Sequence, residues 1–283
     1  MDIVLGTAQF GINNYGISSQ RSLDDSEVQT IFKCAEDNGI QFLDTSDLYG
    51  DSLNKIIQNN PNFSLILKLN IQSSDALIEK VNHFLVENKN VHYDSVLFHN
   101  HSQLIENPHL WNELYSRKKE LGIKKVGVSL YNVSELKKLT NKNILPDIVE
   151  IPYNIVDIEF EPYFGQLQKV GIEIVVRSIF MQGLFFMDLT SIPEKLKDFR
   201  PIIGSINRLL TKHNQTPNKL MIDYIKQSQS INKLIIGVNS VQQLQKNIEA
   251  FNQPINKSLL YDFKKLDLKL KSELKKINNW KKL

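Results

Sequence analysis

Four polar side chains stand at or just beyond the ends of short apolar runs: Asp44 in QFLD, Tyr49 in DTSDLYG, Lys68 in LILKLN and His99 in VLFHNH. Each residue type alone is more often a hydrogen-bonded structural group than a working one. Together they have a chemistry. A phenol that titrates near pH ~10 is a poor proton donor or base at neutral pH unless a cation stabilises its phenolate. Lys68 would supply that cation, Asp44 would keep the buried ammonium charged, and His99 would hydrogen-bond the same substrate oxygen. The set suits reduction of a carbonyl or oxidation of an alcohol, with Tyr49 as general acid or base and the hydride brought by a separate carrier.

Such a set works only if the ends of several strands converge. Short β-branched runs alternate with amphipathic segments along the whole chain, which predicts strands at Ile3–Leu5, Gln41–Asp44, Leu65–Lys68, Ser95–Phe98, Lys125–Ser129, Ile148–Ile151, Glu173–Val176 and Lys233–Ile236. Helices are expected between them, at Ser26–Asn38, Asp75–Glu87, Pro108–Leu121, Val133–Leu139, Pro162–Val170 and Val241–Ala250. Eight such units predict an α/β fold, a (β/α)8 TIM barrel forming a single domain over residues 1–283, with the active site at the C-terminal ends of the strands. A doubly wound sheet is the alternative, but Gly6 and Gly11 in LGTAQFG lack the G-x-G-x-x-G spacing of a dinucleotide turn. Met187 to Gln229 is too long for one helix, and extra structure is expected there around Ser205–His213 and Pro217–Lys226.

Composition agrees with a large core: 283 residues, 41% hydrophobic and 23% charged. Lys plus Arg number 34 against 31 Asp plus Glu, a net charge of +3 with no basic stripe, so nucleic acid is not an expected partner. The single cysteine, Cys34, cannot form an internal disulfide; it shares an apolar helix face with Ile31 and Ala35 and is assigned no role. A cytoplasmic protein with no signal peptide or membrane span is expected, since the apolar stretch from Ile172 to Leu189 is broken by Arg177, Gln182, Gly183 and Asp188.

The motifs resemble the aldo-keto reductase family, barrel enzymes that reduce carbonyls with a nicotinamide nucleotide. LGTAQFG is similar to the first-strand motif of that family and GIQFLDTSDLYG to its Asp-to-Tyr signature; GVSLYN, PYN, RSIFMQG and IIGVNSVQQLQKNIEA resemble its motifs on strands five to eight. LGTAQFG, PYN and SIFMQG look most like bacterial members found with surface-polysaccharide genes. The resemblance implies a catalytic tetrad of Asp44, Tyr49, Lys68 and His99, and reduction of an aldehyde or ketone, of a sugar or sugar derivative among others. It implies cofactor contacts from Thr7, Asp44 and Ser129 at the nicotinamide end, Ser178, Gln182 and Gly183 near the pyrophosphate, and Gly237, Asn239, Gln243 and Asn247 at the adenosine. Three positions depart from the pattern. Glu150 replaces a Gln on strand six that holds the carboxamide, Arg177 replaces an aromatic under the nicotinamide ring, and Leu130 stands where Asn often follows Ser129. Opposite charges on neighbouring strands predict a Glu150–Arg177 ion pair. The cofactor is expected to be NADP or NAD, with weak preference for NADP, because Gly237-Val238-Asn239-Ser240 offers no cation for a 2′-phosphate and Lys246 is the only one nearby.

Other readings stay in view. His99 and His101 form an H-x-H pair that would share a face if strand four continued, but His83, His92, His109 and His213 fall in helix or loop patterns, so no metal is expected. The charges at Glu150 and Arg177 would also suit a nucleotide-binding sensor or partner-binding barrel with little turnover. Leu259, Phe263, Leu266, Leu270, Leu274 and Ile277 fall on one stripe of an additional C-terminal helix, expected to dock on the barrel with its lysines solvated. Trp111 is expected in a helix core. Short connections after the first four strands predict an open site for a small-molecule carbonyl substrate, and the oligomeric state is unknown.

Overall fold

The computed structural model describes residues 1–17, 21–59, 62–88 and 90–280. Its eight strands are β1 (Asp2–Gly6), β2 (Phe42–Ser46), β3 (Ser64–Leu69), β4 (His92–Phe98), β5 (Lys125–Ser129), β6 (Ile148–Pro152), β7 (Glu173–Arg177) and β8 (Lys233–Gly237). They pair in parallel in chain order, and β8 pairs back onto β1, so the barrel closes. Around it run α1 (Ala8–Gly11), α2 (Asp25–Asp37), α3 (Ser52–Asn59), α4 (Ser74–Lys80), α5 (His101–Glu106), α6 (His109–Arg117), α7 (Val133–Asn141), α8 (Phe164–Lys169), α9 (Arg200–His213), α10 (Pro217–Lys226), α11 (Val241–Asn252), α12 (Lys257–Phe263) and α13 (Ser272–Lys275). Caps fix where several helices begin: Asp24 and Glu27 form a reciprocal box on α2, and Ser73 and Ser240 accept backbone N–H groups at the starts of α4 and α11. The long stretch between β7 and β8 holds α9, α10 and short 3-10 turns, the extra structure its length required.

The inner face of the barrel is built in layers by the two-residue period of each strand. Val4, Ile66, Leu97, Ile148, Val175 and Ile235 form an apolar middle layer, with Phe42 at its edge. Two residues further along their strands, Asp44, Lys68, Glu150 and Arg177 form a charged layer above it. Below it, at the strand starts, lies a second charged layer: Lys125 contacts Glu173 at 2.6 Å and Asp94 at 3.4 Å, and Lys233 contacts Asp94 at 3.5 Å and also Glu173. The larger apolar core lies outside the barrel, between strands and helices; Cys34 and Trp111 are buried in it, Trp111 stacked on Tyr115.

Four sequence expectations change. β4 begins at His92, which was expected in a helix or loop, and β2 runs two residues past Asp44. The helix expected over Asp75–Glu87 is α-helical only to Lys80 and continues as a π-turn, Val81–Val86, that keeps Val81 and Leu85 buried. The additional C-terminal helix is present as α12, but the expected stripe from Leu259 to Ile277 does not continue through one helix. After α12 the alternation of Leu266, Leu268 and Leu270 with polar residues is a period of two, and the chain turns non-helical so that all three lean on the core. The segment is tied to the barrel by Lys276 on Asp157 at 2.8 Å, and the indole of Trp280 donates to the Leu274 carbonyl at 2.8 Å. Lys281, Lys282 and Leu283 lie outside the described residues.

Candidate active site

The upper charged layer sets the site. Asp44 and Lys68 come from neighbouring strands, and the Lys68 ammonium, 1% exposed, donates to Asp44 Oδ1. Tyr49 lies in the turn after β2, held by close backbone packing: a Cβ at Gly11 would stand 2.0 Å from the Tyr49 carbonyl oxygen, and one at Gly50, whose φ is +55°, 2.3 Å from the Gly11 carbonyl. The Lys68 ammonium is 5.2 Å from the centre of the Tyr49 ring, and the His99 imidazole meets that ring edge-on at 6.0 Å. His99 follows the last residue of β4. The four residues named from the sequence therefore come together.

Glu150 and Arg177 join them. Arg177 Nε is 3.1 Å from Glu150 Oε1, the ion pair predicted from their charges, and the guanidinium also donates to the Leu130 carbonyl at 3.1 Å and packs over the Tyr131 ring at 4.5 Å. The other oxygen of Glu150 accepts from Lys68 at 3.1 Å, a contact the sequence did not reveal. The layer thus reads Asp44, Lys68, Glu150, Arg177 as an alternating chain of charges with a net charge near zero. Such a buried array persists only when every charge has its partner.

Burial and then the Glu150 carboxylate raise Asp44 above the usual carboxylate range, and contact with the Lys68 ammonium opposes them. Burial disfavours the Lys68 ammonium, but Asp44 and Glu150 outweigh it and hold it above the ordinary lysine range. Burial would raise Glu150, yet Lys68 and Arg177 hold it below the usual carboxylate range. Burial raises the Tyr49 phenol, with Lys68 opposing. Burial, then the charge of Lys68, pushes His99 down to about 4, so the ring is neutral at neutral pH.

A cavity of about 440 Å³ opens over Asp44, Tyr49 and Arg177 and runs past Ser178, Gln182 and Gly183 to Gly237, Asn239, Gln243, Lys246 and Asn247. Its wall holds Asp44 and the positions that the resemblance assigns to the pyrophosphate and the adenosine. Ser178, Met181 and Gln182 hold left-handed backbone, with φ of +63°, +49° and +55°, beside the cavity; such strain gathers at ligand sites. The residues present therefore fit an extended nucleotide. Thr7 and Ser129 lie behind the wall. The Thr7 hydroxyl donates to the Asp44 carbonyl at 2.9 Å and accepts from Ser52, while Ser129 donates to Glu150 at 3.4 Å. Glu150 is fully buried with both oxygens engaged, so it does not reproduce the role of a carboxamide-holding Gln.

Sequence reasoning missed Gln9, Tyr15, Phe180 and Asn218 on the cavity wall; Gln9 and Phe180 lie inside LGTAQFG and RSIFMQG, while Tyr15 in a loop and Asn218 in a first helical turn carry no distinctive pattern. It also missed Ser46, whose Oγ is 2.7 Å from His99 Nδ1, although Ser46 lies inside the DTSDLYG motif. β4 ends at Phe98, so His101 opens α5 instead of extending the strand, and faces Glu135 at 3.5 Å. Among the described residues no group of three His, Cys, Asp or Glu is placed to hold a metal, and no helix is long and apolar enough to cross a membrane.

The profile of the Aldo/keto reductase family matches residues 2–268, and the chain belongs to that family: it is an oxidoreductase that works with a nicotinamide nucleotide, NADP or NAD. Among solved structures it is similar to the aldo-keto reductase AKR11C1 from Bacillus halodurans in its holo form, at 18% identity over 97% of this chain and 95% of that one, TM-score 0.73. It is similar to the glycerol dehydrogenase AKR11B4 from Gluconobacter oxydans at 15% identity over 95% of each chain, TM-score 0.73, and to a variant of Gox0644 crystallised with NADPH at 19% identity over 95% and 90%, TM-score 0.66. At these identities the likenesses establish the fold alone. No functionally curated protein matches the sequence.

Proposed function

We propose that the protein reduces an aldehyde or ketone to an alcohol, with Tyr49 as the proton donor. The observation that carries this reading is the convergence of the Tyr49 phenol, the buried Lys68 ammonium and the neutral His99 imidazole beside a cavity of about 440 Å³ that continues to the loop after β8. A bound nicotinamide nucleotide supplies the hydride. Tyr49 gives its proton to the carbonyl oxygen as negative charge develops there, and the nearby Lys68 ammonium limits the charge left on the phenolate. Asp44 keeps Lys68 protonated. His99, neutral and held through Nδ1 by Ser46, offers Nε2–H to the same oxygen when Ser46 is the donor of their shared hydrogen bond. Ser178, Gln182 and Gly183 face the middle of the nucleotide, and Gly237, Asn239, Gln243 and Asn247 its far end.

The likeness of LGTAQFG, PYN and SIFMQG to members found with surface-polysaccharide genes directs the first substrates tried to sugar aldehydes and ketones. We place the protein in the cytoplasm, working as one barrel domain. The test is loss of NADPH or NADH absorbance over a panel of carbonyl compounds, with Tyr49→Phe alongside. Turnover that disappears in Tyr49→Phe while nucleotide binding stays within about twofold is the expected result. Full turnover in Tyr49→Phe overturns the assignment.

A further inference from the structure

We propose that Glu150 is a positioning residue of this reaction, holding Lys68 between two carboxylates and so setting how much of the ammonium's charge reaches the Tyr49 hydroxyl. The inference rests on the reading of Tyr49 as proton donor. Its ground is geometric. Glu150 has no exposed surface, its Oε2 is 3.1 Å from Lys68 Nζ, and its Oε1 is 3.1 Å from Arg177 Nε. Lys68 has three N–H donors; one goes to Asp44, one to Glu150, and the third remains for the phenol 5.2 Å away at its ring centre. An ammonium with two carboxylates in contact stabilises a nearby phenolate less than one with a single partner.

Arg177 sets the strength of the effect. Its guanidinium draws on the same carboxylate that Lys68 uses, and it lines the cavity. The remaining groups that face Lys68 and Tyr49 are Asp44 from β2, His99 after β4 and the phenol of Tyr15, with Tyr131 after β5 packed on Arg177, and none of these bridges Lys68 to a second cation. A change at Arg177 therefore reaches the proton donor by two routes, directly through the guanidinium charge and through the carboxylate of Glu150.

Charge removal at Glu150 gives the test. Glu150→Gln leaves Lys68 with one carboxylate, favours the phenolate, and moves the alkaline limb of the reduction rate, where the general acid is lost, to lower pH by about one unit. Arg177→Gln removes a cation that acts on Tyr49 directly and returns the full charge of Glu150 to Lys68, both of which move the limb up; the part of that shift lost in the Glu150→Gln/Arg177→Gln double variant is the part carried by Glu150. Glu150→Asp keeps the charge and leaves the limb in place. A second readout needs no turnover: ultraviolet difference titration of the nucleotide-free protein, with the Tyr49→Phe spectrum subtracted, follows the Tyr49 phenolate and shifts in the same directions. A uniform fall in kcat with an unmoved limb and titration in Glu150→Gln overturns the inference. If Glu150→Gln does not fold, an unmoved limb in Arg177→Gln overturns it instead. A limb that persists in an active Tyr49→Phe protein defeats the underlying reading, a result separate from either of these.

Discussion

The hydroxyl of Ser46 lies 2.7 Å from Nδ1 of His99, joining the end of β2 to the residue after β4. The same oxygen accepts the Leu48 N–H at 3.1 Å and reaches Asp47 Oδ1 at 3.2 Å, so its single hydrogen has two possible acceptors, of which His99 is the nearer. Giving that hydrogen to Nδ1 leaves the ring's own hydrogen on Nε2. Ser46→Ala removes this control, and we expect kcat to fall about tenfold, the worth of roughly one hydrogen bond in the transition state. Nucleotide affinity, read by fluorescence titration, should stay constant. An unchanged kcat would show that the ring is oriented by other contacts.

Lys68→Met should act on both stability and rate. It leaves Asp44 and Glu150 buried with only Arg177 to balance them, which costs about 3–5 kcal/mol in a urea melt. In the protein that still folds, kcat should drop by about two orders of magnitude and the alkaline limb should move upward, because the phenol has lost its cation. A limb that moves down would contradict the role given to Lys68.

The Glu150–Arg177 pair can be tested as a cycle. Glu150→Gln and Arg177→Tyr should each weaken nucleotide binding, since each leaves a buried charge short of a partner, while the double variant should recover a coupling of about 1–3 kcal/mol. Calorimetric binding of NADPH to the four proteins measures it. Strictly additive losses would mean that the two side chains act on the nucleotide separately.

Acid sensitivity should carry a mark of His99. Its folded value is pushed down to about 4, below the ordinary 6.5, so the unfolded chain binds a proton in this window that the folded protein does not. Stability therefore falls as pH drops from about 6.5 to 4, by up to about 3 kcal/mol from this residue. In His99→Gln the slope of unfolding free energy against pH should flatten across that interval. An unaltered slope would assign the acid sensitivity to other groups.

Cofactor choice should respond at the far end of the cavity. Gln243 lines it, and its side-chain oxygen accepts the Asn239 N–H at 2.8 Å, so the loop after β8 presents neutral groups there with Lys246 alongside. Gln243→Arg should tighten NADPH about tenfold and leave NADH nearly unchanged, the increment of one charge-assisted bond to a 2′-phosphate. Equal effects on both nucleotides would place the adenosine elsewhere.

The barrel could be read from the sequence because its strands announce themselves one at a time: ILKL or IVEI is strand-like whatever it pairs with. Asp44 and Lys68 were legible for a related reason, since neighbouring parallel strands bring their ends side by side. The contact between Glu150 and Lys68 was not. It crosses the barrel between strands that are not neighbours, and only the radius of the closed sheet decides that it forms. At the C-terminus the error was one of period, because Leu266 and Leu270 satisfy a helix while Leu266, Leu268 and Leu270 satisfy an extended chain, and contact with the core chose the second.

The charged layer of Asp94, Lys125, Glu173 and Lys233 at the strand starts is separated from the reacting layer by a full course of apolar side chains. Among the described residues no hydrogen bond or ion pair joins the two across that course, so changes in one should add to changes in the other. Selection or design can thus work on the two ends of the barrel as independent modules: robustness to heat can be raised or surrendered at the base while selectivity drifts at the mouth.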